Sequence, residues 1–147
     1  MSKTYHFFSQ GYIYLYFLAG IPKCLPSPPI PNKPFTHVGC WRDTRNRAVP
    51  TLEGKDKTLI GRYSSRANAI QLCFKAAVAR RFKVFALQAG GWCAGSADAR
   101  GYKKYGKANN CKAGKGGGWA NDVYVIGKMS RCTFEYFSMS WIRGNEA

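Results

Sequence analysis

Six cysteines, Cys24, Cys40, Cys73, Cys93, Cys111 and Cys132, stand at wide intervals along 147 residues. None forms a Cys-x-x-Cys pair, and neither histidine, His6 nor His37, stands at zinc-ligand spacing from them. An even number of widely spaced cysteines in a short chain reads as a disulfide framework, which forms in an oxidising compartment. A secreted or extracellular protein is therefore expected, with no metal and no cofactor. Four of the cysteines fall between Phe35 and Gly127, enough for a module closed by two bridges of its own.

The ends of the chain differ from this stretch. After Lys3 comes the apolar run Tyr12-Ile13-Tyr14-Leu15-Tyr16-Phe17-Leu18-Ala19. It is too short to span a bilayer, so no transmembrane segment is expected. Residues 1–20 fit a secretory signal peptide cleaved near Ala19 or Gly20; an arbitrary leader or a packed strand is the alternative. Residues 21–34 hold six prolines in fourteen positions and read as a stiff, extended linker. Residues 35–127 form the module. The tail, 128–147, has Cys132, Phe134, Tyr136, Phe137 and Trp141 but no clear period. A Cys24–Cys132 bridge would tie the two ends together.

Within the module, Phe35 to Trp41 reads as a first strand and Arg42 to Arg62 as a loop. Ser65 to Phe82 reads as a helix capped by Ser64 or Ser65. Ala69, Leu72, Cys73, Ala76 and Ala77 share one face of it, which aims Cys73 at a sheet. Lys83–Gln88 and Trp92–Gly95 read as strands joined by a turn at Gly90-Gly91. Ser96 to Gly118 is loop, and Asn121–Ile126 is a closing, well-covered strand. This order predicts an α+β fold: one helix packed on a small twisted antiparallel sheet and stabilised by disulfides.

The formal net charge of the chain is +16, and residues 35–127 carry 17 Lys or Arg against 5 acids. Such a field attracts polyanions, although it also simply keeps a small protein in solution. The segment Arg100-Gly101-Tyr102-Lys103-Lys104-Tyr105-Gly106-Lys107 interleaves cations with rings and could grip sulfate or phosphate beside a stacking face. A solvated charged loop is the alternative. The glycine-rich stretch from Lys112 to Gly118 lacks the Gly-Lys-Ser/Thr of a phosphate-binding loop and reads as tight turns. The carboxylates show neither calcium-loop nor paired acid/base spacing, and no base stands beside a nucleophile. A binding module, not an enzyme, is expected.

Several segments together resemble a WSC domain. Val38-Gly39-Cys40-Trp41-Arg42-Asp43 with Arg47-Ala48-Val49-Pro50 is similar to its opening, and the helix with Cys73 to its cysteine-bearing helix. Phe85 to Gly95 resembles its strand and turn, and Gly116-Gly117-Gly118-Trp119-Ala120-Asn121-Asp122-Val123-Tyr124 its closing segment. The resemblance spans about 90 residues. It implies an extracellular carbohydrate-binding module with a PAN/apple-like fold. Three cysteines of the family are missing: Ala77 and Gly91 occupy two of the places, and the third falls near Lys115. The chain thus reads as a cysteine-poor relative. Four cysteines allow three pairings. The favoured one is Cys73–Cys93, stapling helix to sheet, with Cys40–Cys111 holding the first strand to the long loop. Cys40–Cys73 with Cys93–Cys111 competes.

A sugar site needs flat aromatic faces and planar polar groups. Trp92 and Trp119 are the candidate platforms, with Tyr102, Lys103 and Tyr105 in the long loop and Gln88 and Asn121 as bidentate hydrogen-bonding groups. Core packing is the alternative for both tryptophans, loop anchoring for both tyrosines, and holding a turn for Asn121. The expected partner is a glycan or glycoprotein, with anionic glycans favoured by the charge; no nucleic acid is expected. A structural adhesion module acting through protein contacts, or a cationic effector on membranes or nucleic acid, are the competing functions.

Overall fold

The computed structural model describes residues 34–128. The predicted signal peptide, most of the proline-rich linker, the tail from 129 and the Cys24–Cys132 pairing lie outside the described residues. Four strands, β1 (Phe35–Arg42), β2 (Val84–Gln88), β3 (Trp92–Ser96) and β4 (Ala120–Ile126), form one antiparallel sheet in the order β1-β4-β2-β3. The one α-helix among the described residues, α1 (Ala69–Ala79), packs on one face. The α+β fold with one helix on an antiparallel sheet is therefore as expected. Disulfides join Cys73 to Cys93 and Cys40 to Cys111, the favoured pairing. Among the described residues no helix is long and apolar enough to cross a membrane.

Strand alternation builds two cores. Phe85, Leu87, Cys93 and Tyr124 face α1 and meet Cys73, Phe74, Ala76 and Ala77. Val84, Ala86, Ala94 and Val123 face the other way, where Val49 and Tyr102 from two loops cover them. All five residues of β2 are buried, because it has strands on both sides and cover on both faces. β4 is the other inner strand, which matches the well-covered closing strand read from its Val-Tyr-Val-Ile run.

The helix is shorter than its sequence pattern. Ser64 and Ser65 do not cap it; they lie in a 3-10 turn, Tyr63–Ser65, and the N-cap is Asn68, in the left-handed region with no side-chain cap bond. Arg66 explains the late start. Its backbone is extended, and its side chain turns inward to a paired hydrogen bond with Glu53, at 2.8 and 2.9 Å. That guanidinium also donates to the carbonyls of Leu59 and Gly61. At the other end, the Arg81 amide donates to Val78 O and the Phe82 amide to Ala77 O, with Arg81 at φ +56°. This is a Schellman stop with arginine where glycine is usual, so the helix ends three residues before the sequence signal does.

The loop from Leu52 to Arg66 is held by a second ion pair. Asp56 bonds to Arg80 and accepts from the Thr58 amide and hydroxyl. Burial pushes its carboxyl up, but the Thr58 and Arg80 bonds outweigh that and hold it below its usual value of 3.8. A carboxyl depressed in the folded state stabilises fully above its unfolded pKa and loses that contribution as pH falls through the folded one. Unfolding free energy is therefore expected to drop below about pH 4, and less steeply in Asp56→Asn, as read from urea titrations across pH 2–6. An identical slope in the variant would refute the assignment.

Candidate functional site

The face opposite α1 carries an unusual row. Register places Trp41 of β1, Asn121 of β4, Gln88 of β2 and Trp92 of β3 side by side across the whole sheet. Trp41 belongs to this row because β1 has a bulge between His37 and Gly39. Without it, simple alternation would put Trp41 on the same side as Phe35. With it, Cys40 takes the helix side opposite Asp122, and Trp41 packs edge-on against Tyr102, with ring centroids 4.9 Å apart.

The segment after β1 folds back over the row. Asp43 is buried; one carboxylate oxygen accepts from the Ala48 amide at 2.8 Å, and the other from Arg47 at 2.8 Å and Gln88 at 3.4 Å. Arg47 also donates to Gln88 Oε1. Held in this way, its guanidinium carbon lies 5.9 Å from the Trp92 ring centre and 5.2 Å from that of Trp119. Trp92 is half-buried and meets Tyr63 edge-on.

Beside Trp119 opens a groove of about 480 Å³, lined by Arg42, Thr44, Tyr105, Asn109, Asn110 and Trp119, with Asp43 also in its wall. Two bonds shape its rim. Tyr105 donates to Asn46 O at 2.6 Å, and Asn110 donates to Gly118 O at 2.9 Å. Hydrogen bonding to Lys104, whose ammonium lies 4.9 Å from the Tyr105 ring centre, leads the effects that pull the Tyr105 hydroxyl below its usual value.

The glycine-rich loop positions this rim from the helix side. The Gly116 amide donates to Asp122, whose other oxygen meets His37 Nε2 at 2.8 Å. Gly116 has φ +73°, and a Cβ there would lie 2.2 Å from Leu87 O and 2.6 Å from the Gln88 Cα. Only glycine fits, which accounts for the tight turn expected here. Tyr124 donates to Gly114 O at 2.8 Å. Burial first, then the Asp122 charge, push its hydroxyl up to about 12.

Of the residues singled out from sequence, Trp119 and Tyr105 line the groove, and Trp92 joins Trp119 through Arg47. Lys103 is exposed, its ammonium 5.7 Å from the Tyr102 ring centre. Tyr102 itself is buried in the second core. Gln88 and Asn121 are also buried, 5% and 2% exposed. Gln88 is committed to Arg47 and Asp43, and the Asn121 amide nitrogen has no hydrogen-bond partner. The amide side chains that line the groove are instead those of Asn109 and Asn110, both exposed. Sequence reasoning passed over these two, and also Arg42, Thr44 and Arg47. Only the Asn-Asn dipeptide before Cys111 hinted at them.

The acids explain the surface field. Among the described residues, Asp43, Glu53, Asp56 and Asp122 are each paired with Arg or His, and only Asp98 is exposed. Nearly all the remaining cations among the described residues are exposed. Among the described residues no group of three or more His, Cys, Asp or Glu could hold a metal ion. Compared with family models and with curated proteins, the sequence matches none.

Proposed function

We propose that residues 35–127 form a WSC-like carbohydrate-binding module that acts outside the cell and binds rather than transforms its ligand. Trp119 carries this reading. It is 54% exposed and sits at φ +53°, a left-handed conformation that is a real outlier for a bulky side chain. Glycine or asparagine would occupy this position more comfortably. A tryptophan kept exposed and strained over a polar groove suits a stacking platform for the apolar face of a sugar ring. The groove adds amides, a hydroxyl and a guanidinium for sugar hydroxyls. The two disulfides and the sequence resemblance support the extracellular assignment.

Trp119→Asn separates function from fold. The variant is expected to unfold at the same denaturant concentration as the parent or a higher one, gaining up to about 1 kcal/mol from the relieved backbone. Binding on a glycan array of the oxidised full chain should weaken at least about tenfold. Unchanged binding would exclude Trp119 as the platform, and a parent that binds no glycan would exclude the function. Protein adhesion is less well supported. Ile60 and Trp119 are the exposed large apolar side chains among the described residues, and two side chains fall short of the patches that protein partners use.

A further inference from the structure

We infer that the groove selects an acidic saccharide and that Arg42 is the residue that reads its carboxylate or sulfate. The inference rests on the carbohydrate reading and specifies its ligand class. Among the described residues two charged side chains line the groove, Arg42 and Asp43. The Asp43 side chain is 1% exposed and its charge is met by Arg47, while both its oxygens accept hydrogen bonds from within the protein. It therefore contributes little negative potential to the groove. Arg42 is exposed and takes part in none of the ion pairs among the described residues.

Its backbone is nonetheless fixed. The Arg42 amide donates to Gly106 O at 2.9 Å, and the next amide, that of Asp43, to Trp119 O at 2.9 Å. The one uncompensated cation of the groove among the described residues is thereby tied to the same backbone that sets Trp119. A guanidinium fork offers two parallel donors to a carboxylate or sulfate, a geometry that neutral hydroxyls do not match. Polar groups for the rest of the ring stand around it. The Asn110 Nδ2 is spent on Gly118 O at 2.9 Å, which leaves its carbonyl to accept, while Asn109 is exposed. Tyr105 and Trp119 supply the ring faces. Lys104 and Lys107 extend the positive field, their ammonium groups 4.9 and 5.5 Å from the ring centres of Tyr105 and Trp41.

The test compares tetrasaccharides by calorimetry at physiological salt, where long-range attraction is largely screened. The probes are neutral cellotetraose, a galacturonic acid tetrasaccharide bearing carboxylates alone, and a heparin-derived tetrasaccharide bearing sulfates and carboxylates. At least one acidic probe is expected to bind about tenfold or more tightly than cellotetraose. Binding of both assigns the carboxylate as sufficient, and binding of heparin alone assigns the sulfate. Arg42→Gln should abolish the preference, and Arg42→Lys should retain part of it. Arg45→Gln, an exposed cation outside the groove lining, should leave it intact. Equal affinity for neutral and acidic probes would overturn the inference while leaving the carbohydrate reading standing. Equal losses in Arg42→Gln and Arg45→Gln would also overturn it, by reducing the effect to general charge. No binding of any saccharide by the parent would remove both.

Discussion

Arg66→Met is expected to cost about 3–5 kcal/mol of folding free energy, enough to unfold much of a small domain at 37 °C. Arg66 and Glu53 are the most deeply buried ion pair among the described residues, their side chains 3% and 12% exposed. Glu53 also accepts from the Cys93 amide at 2.8 Å, so it anchors β3 as well as the loop. Methionine fills much of the arginine's volume but strands the carboxylate, whose burial is costly without a partner. Glu53→Leu combined with Arg66→Met removes the stranded charge and should recover a large part of the loss. Urea unfolding of the parent, both single variants and the double variant gives the coupling directly. A loss below about 1 kcal/mol in Arg66→Met would show that the pair behaves as an exposed one.

Removing the Cys73–Cys93 bridge should cost about 3 kcal/mol. That figure follows from the chain freedom regained by a loop with a sequence separation of 20, before any loss of core packing. Both cysteines are 0% exposed and join α1 to β3, so Cys73→Ala with Cys93→Ala also weakens the packing between the helix and that strand. Cys40–Cys111 presents the opposite case. Both of its residues are only half-buried, and they tie β1 to the loop that carries Asn110 and the glycines. Mild reductant without denaturant should therefore open Cys40–Cys111 first and leave Cys73–Cys93 closed. Mass-spectrometric mapping after partial reduction and alkylation reads the order; opening of Cys73–Cys93 first would contradict the burial.

Gly91 is held to glycine locally, because a Cβ there would lie 2.4 Å from Tyr63 O. The turn between β2 and β3 packs directly under the 3-10 turn, and a side chain would have to displace it. Ala77 is fully buried against the sheet. Ala77 thus holds α1 on the sheet by close packing, with the Cys73–Cys93 bridge alongside it.

Local order was legible in the sequence because short-range physics sets it. The strands showed as β-branched and aromatic runs bounded by glycine, and the helix as an apolar stripe with Cys73 on its inner face. The acidic-poor composition announced the cationic exterior. What only the tertiary structure decided was phase and ownership. A single bulge in β1 sent Trp41 to the far face, a change of one residue that alternation cannot reveal. Arg66 abandoned a helical pattern for Glu53, because a buried charge gains more from its partner than one turn gains from propensity. Gln88 and Asn121 look like ligand groups in a linear reading, but their neighbours across the sheet enclose them, and Asn109, Asn110 and Arg42 remain at the surface in their place. The six cysteines said that this chain would be stapled; which side chains face the groove was set by how the strands came into register.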